Sequence, residues 1–195
     1  MSLRRVLLAV FLLVFSLPGS GAPRYRPPKY LSPQFEAAEV ATLDVLPVLD
    51  LRADRSEALE LDAWVHRIGR ALIKRRGYKS TFYGDRSMIE SLQQLGQSDL
   101  VEAQVQGLRM PQAGRWLLVF GLVDSYAKQT FGSSGNAEMV AYIVDQQEGL
   151  VIWRHDTVGQ IGIAGPVGMM MKGLMERSGI EVATKTLIES IPLRP

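Results

Sequence analysis

Four glycines recur at every third position, Gly159, Gly162, Gly165 and Gly168, between a predicted strand and a predicted helix. Glycine there would let backbone N–H groups approach a bound anion at a helix N-terminus. Neither G-x-G-x-x-G nor a Walker pattern is present, and Lys172 has no adjacent hydroxyl residue. The stretch therefore reads as a mobile loop that could serve a partner. His155 lies between Arg154 and Asp156 on a predicted strand. Neighbouring strand residues face opposite ways, so His155 and Asp156 do not form a dyad. His66 sits on a predicted helix, off its main apolar stripe. No G-x-S-x-G elbow or H-E-x-x-H motif exists.

Two carboxylates, Asp44 and Asp124, fall within or beside apolar runs. A buried carboxylate is costly and needs a partner. If both acids met in one cleft they could process a glycan by acid–base chemistry; a salt bridge or a strand-end position is the simpler expectation. The chain has no cysteine. That excludes disulfides, thiolate metal sites, a cysteine nucleophile and a lipid-bearing N-terminal cysteine. The two histidines, His66 and His155, leave little for a His-rich metal site.

Candidate contact residues come from two other places. Met169, Met170, Met171 and Met175 form a flexible, polarisable cluster that suits adaptable binding, with core packing as the competing use. The segment Pro23–Pro33 reads PRYRPPKYLSP, and four prolines in eleven residues forbid helix and favour extended chain. It is a tether or a docking arm, and as an arm it would present Tyr25, Arg26 and Tyr30 to anionic lipid or to a protein.

Residues 1–22 precede that arm. Arg4 and Arg5 form a basic start, Val6 to Leu17 is apolar apart from Ser16, and Pro18-Gly19 opens a small-residue stretch. This is the secretory signal pattern, with cleavage expected after Gly21 or Ala22. The apolar run is shorter than the roughly 20 residues of a spanning helix. Removing Arg4 and Arg5 leaves 20 basic against 20 acidic side chains, so a nucleic-acid partner is not expected. The expected organisation is a signal at 1–22, a Pro-rich arm at 23–37 and one domain at 38–195.

Within the domain, Val40–Leu49 reads as a buried strand that Pro47 bends or ends. Leu59–Arg76 reads as a helix, with Leu61, Trp64, Val65, Ile68, Leu72 and Ile73 at three- and four-residue spacing, Ser56 available as a cap and Gly77 as the stop. Tyr78–Tyr83 is a short strand. Asp85 caps a helix over Arg86–Leu95, and Asp99–Gln106 is a further helix. From Trp116 the pattern becomes strand-like as far as Phe131. Gly132–Asn136 reads as a turn, Ala137–Val144 as a strand, Asp145–Gly149 as a second turn and Leu150–Ile161 as a third strand. Met169–Ile191 is the closing helix. The order β-α-β-α-β-β-β-α predicts an α/β fold: a mixed β-sheet with an antiparallel meander, covered by helices.

These blocks resemble a family of bacterial envelope proteins. VATLDVLPVLDLRAD with its following helix, RALIKRRGYKSTFYGDRSMIESLQQLG, RWLLVFGLVDSY and AYIVDQQEGLVIWRHDTVG are similar to successive blocks of CsgG, LpoB, PelC and the amino-terminal domain of TolB. The chain departs from them in lacking the lipid-bearing cysteine, in Glu148 before Gly149 and in Gly114-Arg115-Trp116. The resemblance implies an anticodon-binding-domain-like sandwich, no enzyme and no cofactor. It implies envelope assembly, export or transport through contacts with other cell-envelope proteins, often as a homo-oligomer, in the periplasm. Peripheral contact with membrane or peptidoglycan fits the same setting. Two other functions stay open from the residues: a receptor for a lipid or glycan fragment, and the carboxylate-based glycan enzyme.

Overall fold

The computed structural model describes residues 27–55, 59–93, 98–130, 132–164 and 172–195. Along these, β1 spans Tyr30–Leu31, β2 Thr42–Val45 and β3 Leu49–Asp50; α1 spans Leu61–Arg75 and β4 Lys79–Phe82. A 3-10 turn at Arg86–Ile89 runs into α2 (Glu90–Gln93), followed by α3 (Ser98–Gln106). Three long strands come next, β5 (Trp116–Thr130), β6 (Gly132–Asp145) and β7 (Leu150–Ala164), and then α4 (Lys172–Glu189).

The strands form one mixed sheet in the order β1-β7-β6-β5-β2-β4, with β3 also on β5. β2 runs parallel to both β4 and β5, while β5, β6 and β7 form the expected antiparallel meander. This is the α/β architecture that the element order predicts. Both sheet faces are covered, which explains why Trp116–Val123 is apolar without alternation. Leu118, Phe120 and Leu122 join a core with Leu43, Ile143, Trp153, Ile180 and Leu187, beneath α1 and α4. Leu117 and Val119 point the other way, to Leu46, Ile89, Leu92, Val105 and Tyr142.

Local signals account for most boundaries. The strand read over Val40–Leu49 is interrupted at Pro47, which supplies no N–H, and resumes as β3. The Leu46 N–H still reaches the Leu118 carbonyl at 3.0 Å. α1 buries Leu61, Val65, Gly69 and Ile73 and carries Lys74 and Arg75 in its last turn. Ser56, read as its cap, lies outside the described residues; Glu60 precedes the helix without a capping side chain. Gly77 follows with φ of 90°, a conformation that favours glycine. Asp85 caps its turn as expected, accepting from the Ser87 N–H at 3.0 Å.

Two readings are corrected. Gly132–Asn136 is not a turn but the first part of β6, and the strand expected to end at Ile161 runs on through Gly162 to Ala164, so the first two glycines of the 159–168 series are strand residues. The reason is packing. α4 crosses β6 and β7 so closely that a Cβ on Gly135 would stand 1.8 Å from the Met175 carbonyl oxygen. On Gly159 it would stand 2.1 Å from the Gly179 carbonyl oxygen, and on Gly179 3.2 Å from backbone carbons of Gly135 and Asn136. These glycines make room for a helix rather than turning the chain. Gly165, Gly168 and the start of the closing helix read at Met169 lie outside the described residues.

Candidate functional site

The described part of the N-terminal arm forms a sheet edge. Pro27 and Pro28 lack N–H donors, and the chain enters the sheet only after them. The Lys29 N–H donates to His155 Nδ1 at 3.2 Å, and the Lys29 ammonium pairs with Asp156 at 3.0 Å. Tyr30 then lies opposite Arg154 and Leu31 opposite Trp153, antiparallel, and the Ser32 N–H donates to the Ile152 carbonyl at 2.9 Å. Trp153 anchors this place from beneath, its indole N–H reaching the Ser190 carbonyl at 3.3 Å. Tyr30 and Leu31 remain 45% and 40% exposed.

Past this short strand, the outer edge of β7 from Thr157 to Ala164 has no strand partner among the described residues. Its sequence, TVGQIGIA, contains no charge and no proline. Alternate residues of such an edge direct N–H and C=O groups outwards. Val158 is 61% exposed, and Gln160 and Gly162 are exposed on the same face.

Behind the arm lies a cavity of about 270 Å³, lined by Gln34, Glu39, Arg115, Trp116, Asp145, Glu148, Leu150 and Ile152. Arg115 spans it, 2.6 Å from the Asp145 carboxylate and 4.4 Å from the Trp116 ring centroid. Asp145 is almost fully buried and also accepts from the Gln147 and Glu148 N–H groups, which closes the β6–β7 turn. Burial pushes its pKa up, but the Arg115 hydrogen bond and those two amides outweigh it and leave it lowered. Beside the cavity, the buried Gln146 side chain donates to the Met110, Ala113 and Gly114 carbonyls and accepts from the Met110 N–H. It thereby fixes the loop that leads into β5. The cavity sits just under the ~300 Å³ lower bound of small-molecule sites.

The remaining candidates are dispersed. Asp44 is buried on β2 and accepts from the Gly114 N–H. Asp124 is exposed on β5, opposite Glu138. Asp44 is in register with Leu117, so the two acids are seven residues apart along β5, about 23 Å by strand rise. The sheet holds them far apart, and the shared cleft needed for glycan acid–base chemistry is not formed by this pair. His66 packs edge-on against Phe82 at 4.9 Å, with Nε2 3.4 Å from the Leu46 carbonyl oxygen, and burial lowers its pKa. Among the proposed contact residues, Tyr30 is exposed at the sheet edge and Met175 is buried on α4, 1% exposed. Tyr25, Arg26, Met169, Met170 and Met171 lie outside the described residues. Among the described residues no group of three or more His, Asp or Glu side chains could hold a metal, and no helix is long and apolar enough to cross a membrane.

The β7 edge escapes a reading that treats Gly159 and Gly162 as loop residues. The signal for it is present: eight residues after Asp156 with β-branched side chains and neither charge nor proline.

No protein-family model matches the chain, and no curated protein matches it. Solved structures do. PelC from Paraburkholderia phytofirmans, solved as a dodecamer, is 11% identical, with a TM-score of 0.42 over 83% of this chain and 92% of that one. The lipoprotein GNA1162 from Neisseria meningitidis is 17% identical, with a TM-score of 0.42 over 69% of this chain and 94% of that one. The C-terminal domain of LpoB from Salmonella enterica is 17% identical, with a TM-score of 0.34 over 65% of this chain and 86% of that one.

Proposed function

We propose that this chain is a non-enzymatic binding or scaffold protein of the bacterial envelope. It is exported to the periplasm without a lipid on cysteine, and it acts in assembly, export or transport through protein contacts. The observation that carries this reading is the sheet edge at β1 and β7, where exposed Tyr30 and Leu31 adjoin eight uncharged residues of β7 whose outer edge has no strand partner among the described residues. An edge of that kind is a template for another strand, and main-chain hydrogen bonds supply the affinity. The signal pattern of residues 1–22 and the resemblance of the sequence blocks to CsgG, LpoB, PelC and TolB support the compartment and the setting. Arg24, Arg26 and Lys29, with Tyr25 and Tyr30, give the arm a second contact surface.

The test has two parts. Expressed in a Gram-negative host, the protein is expected in the periplasmic fraction, with an intact mass corresponding to a start at Ala22 or Pro23. In-cell photo-crosslinking from position 30 or 158 is expected to trap discrete protein adducts. A chain that keeps Met1 and stays in the cytoplasm, or an edge that gives no adduct from either position, overturns the reading.

A further inference from the structure

We propose that the occupant of the β7 edge is the β7 edge of a second copy, paired antiparallel about a twofold axis into one continuous sheet. The proposal rests on the contact reading above and names its partner.

Three observations select this partner. The edge from Thr157 to Ala164 is neutral over its whole length, so a second copy laid against it antiparallel sets no like charges opposite each other. The other sheet edges among the described residues do not fit. β4 begins with Lys79, and the outer part of β5 carries exposed Asp124 and Lys128. Among the described residues the outer edge of β7 is thus a long uncharged edge that matches itself. Antiparallel pairing about a twofold is isologous, so one uncharged strand satisfies both sides and the contact closes at two copies. The exposed Val158 side chains, held out by each protomer, would then share one sheet face across the junction.

The arm of the same chain is a poor occupant. It approaches this edge from Lys29 backwards, where continuing the β1 register would set Pro28 opposite Asp156 with no N–H to give and would bring the charged Arg26 and Arg24 against the uncharged strand. β1 therefore stops where the free edge begins, and it bounds the paired segment rather than filling it.

The chain has no cysteine, which makes the geometry directly readable. The exported protein, purified from periplasm, is expected by light scattering to have twice the monomer mass. Single variants Val158→Cys, Gln160→Cys and Gly162→Cys are expected to differ sharply in oxidative crosslinking, the position nearest the axis giving a covalent dimer. A Cβ at Gly162 meets nothing closer than 3.8 Å, so that variant is sterically allowed. Val158→Lys places a charge on each facing strand and is expected to raise the dissociation midpoint about tenfold or more. Its far-ultraviolet circular dichroism should stay unchanged, because the site is exposed. Gln160→Pro removes one N–H and serves as the second disrupting variant.

A strict monomer at all concentrations overturns the proposal. So does an oligomer whose mass is indifferent to Val158→Lys and Gln160→Pro. In either case, crosslinked adducts with other envelope proteins at position 158 would leave the scaffold reading standing with a different strand in place. If deleting residues 23–26 abolished the dimer while Val158→Lys did not, the arm and not the edge would be the contact.

Discussion

Tyr78 and Asp145 illustrate how single side chains tie remote pieces of this chain together, and each predicts a distinct response to pH. Tyr78 is buried after α1, and its hydroxyl donates to the Pro192 carbonyl at 2.7 Å. Burial pushes its pKa up to about 12. The unfolded phenol ionises near 10, so between these values the unfolded state has lost a proton that the folded state keeps. Its contribution to stability is full below pH 10 and is lost as pH rises toward 12. Tyr78→Phe is expected to cost about 1 kcal/mol at pH 7 and to flatten the fall in urea midpoint above pH 10. An unchanged alkaline slope would rule out the linkage. Asp145 runs the other way. Its lowered pKa gives stability that is present above about pH 4 and lost as pH falls through the folded value. Asp145→Asn breaks the Arg115 ion pair and is expected to cost about 2 kcal/mol at neutral pH. The variant and wild type should then converge in urea midpoint as the acid is titrated.

At the scale of elements, the controlling feature is how closely α4 lies on β6 and β7. Gly135→Ala and Gly159→Ala would drive a methyl group into helix backbone, which cannot yield as a side-chain tip can. Each is expected to destabilise the fold by about 3 kcal/mol, read as a lowered thermal midpoint. Gly162→Ala, with no contact under 3.8 Å, is the control and should be nearly neutral. Equal effects at all three positions would mean that strand propensity, not the helix crossing, sets the cost. These positions also show where the sequence was legible. Apolar spacing located α1 and the meander because burial imposes those periods directly. Gly132–Asn136 misled because glycine serves both turns and close backbone approach, and for Gly135 the choice depends on a helix some forty residues later. The separation of Asp44 from Asp124 was likewise invisible, since register between β2 and β5 is fixed by packing that no local window contains. The cavity formed by Arg115, Trp116 and Asp145 assembles from three strand ends and the arm, so its members are distant in sequence.

For the whole molecule, charge balance decides what kind of association to expect. Past the signal pattern, basic and acidic side chains number 20 each, so no net field steers a partner over long range. An uncharged β7 edge would hold a partner by main-chain hydrogen bonds and by burial of residues such as Val158. Neither depends on ionic screening. The arm is the opposite case: Arg24 and Arg26 would hold an anionic surface by charge. Screening shortens from ~10 Å at 0.1 M salt to ~3 Å at 1 M. An edge-paired dimer should therefore keep its native mass, by light scattering, across that range. Any attachment of the arm to anionic vesicles should vanish over the same range. Dissociation of the dimer into monomers at 1 M salt would assign the contact to charged groups and remove the β7 edge from it. Persistence of the dimer together with loss of vesicle binding would separate two surfaces on one small domain, one for its own copy and one for the membrane.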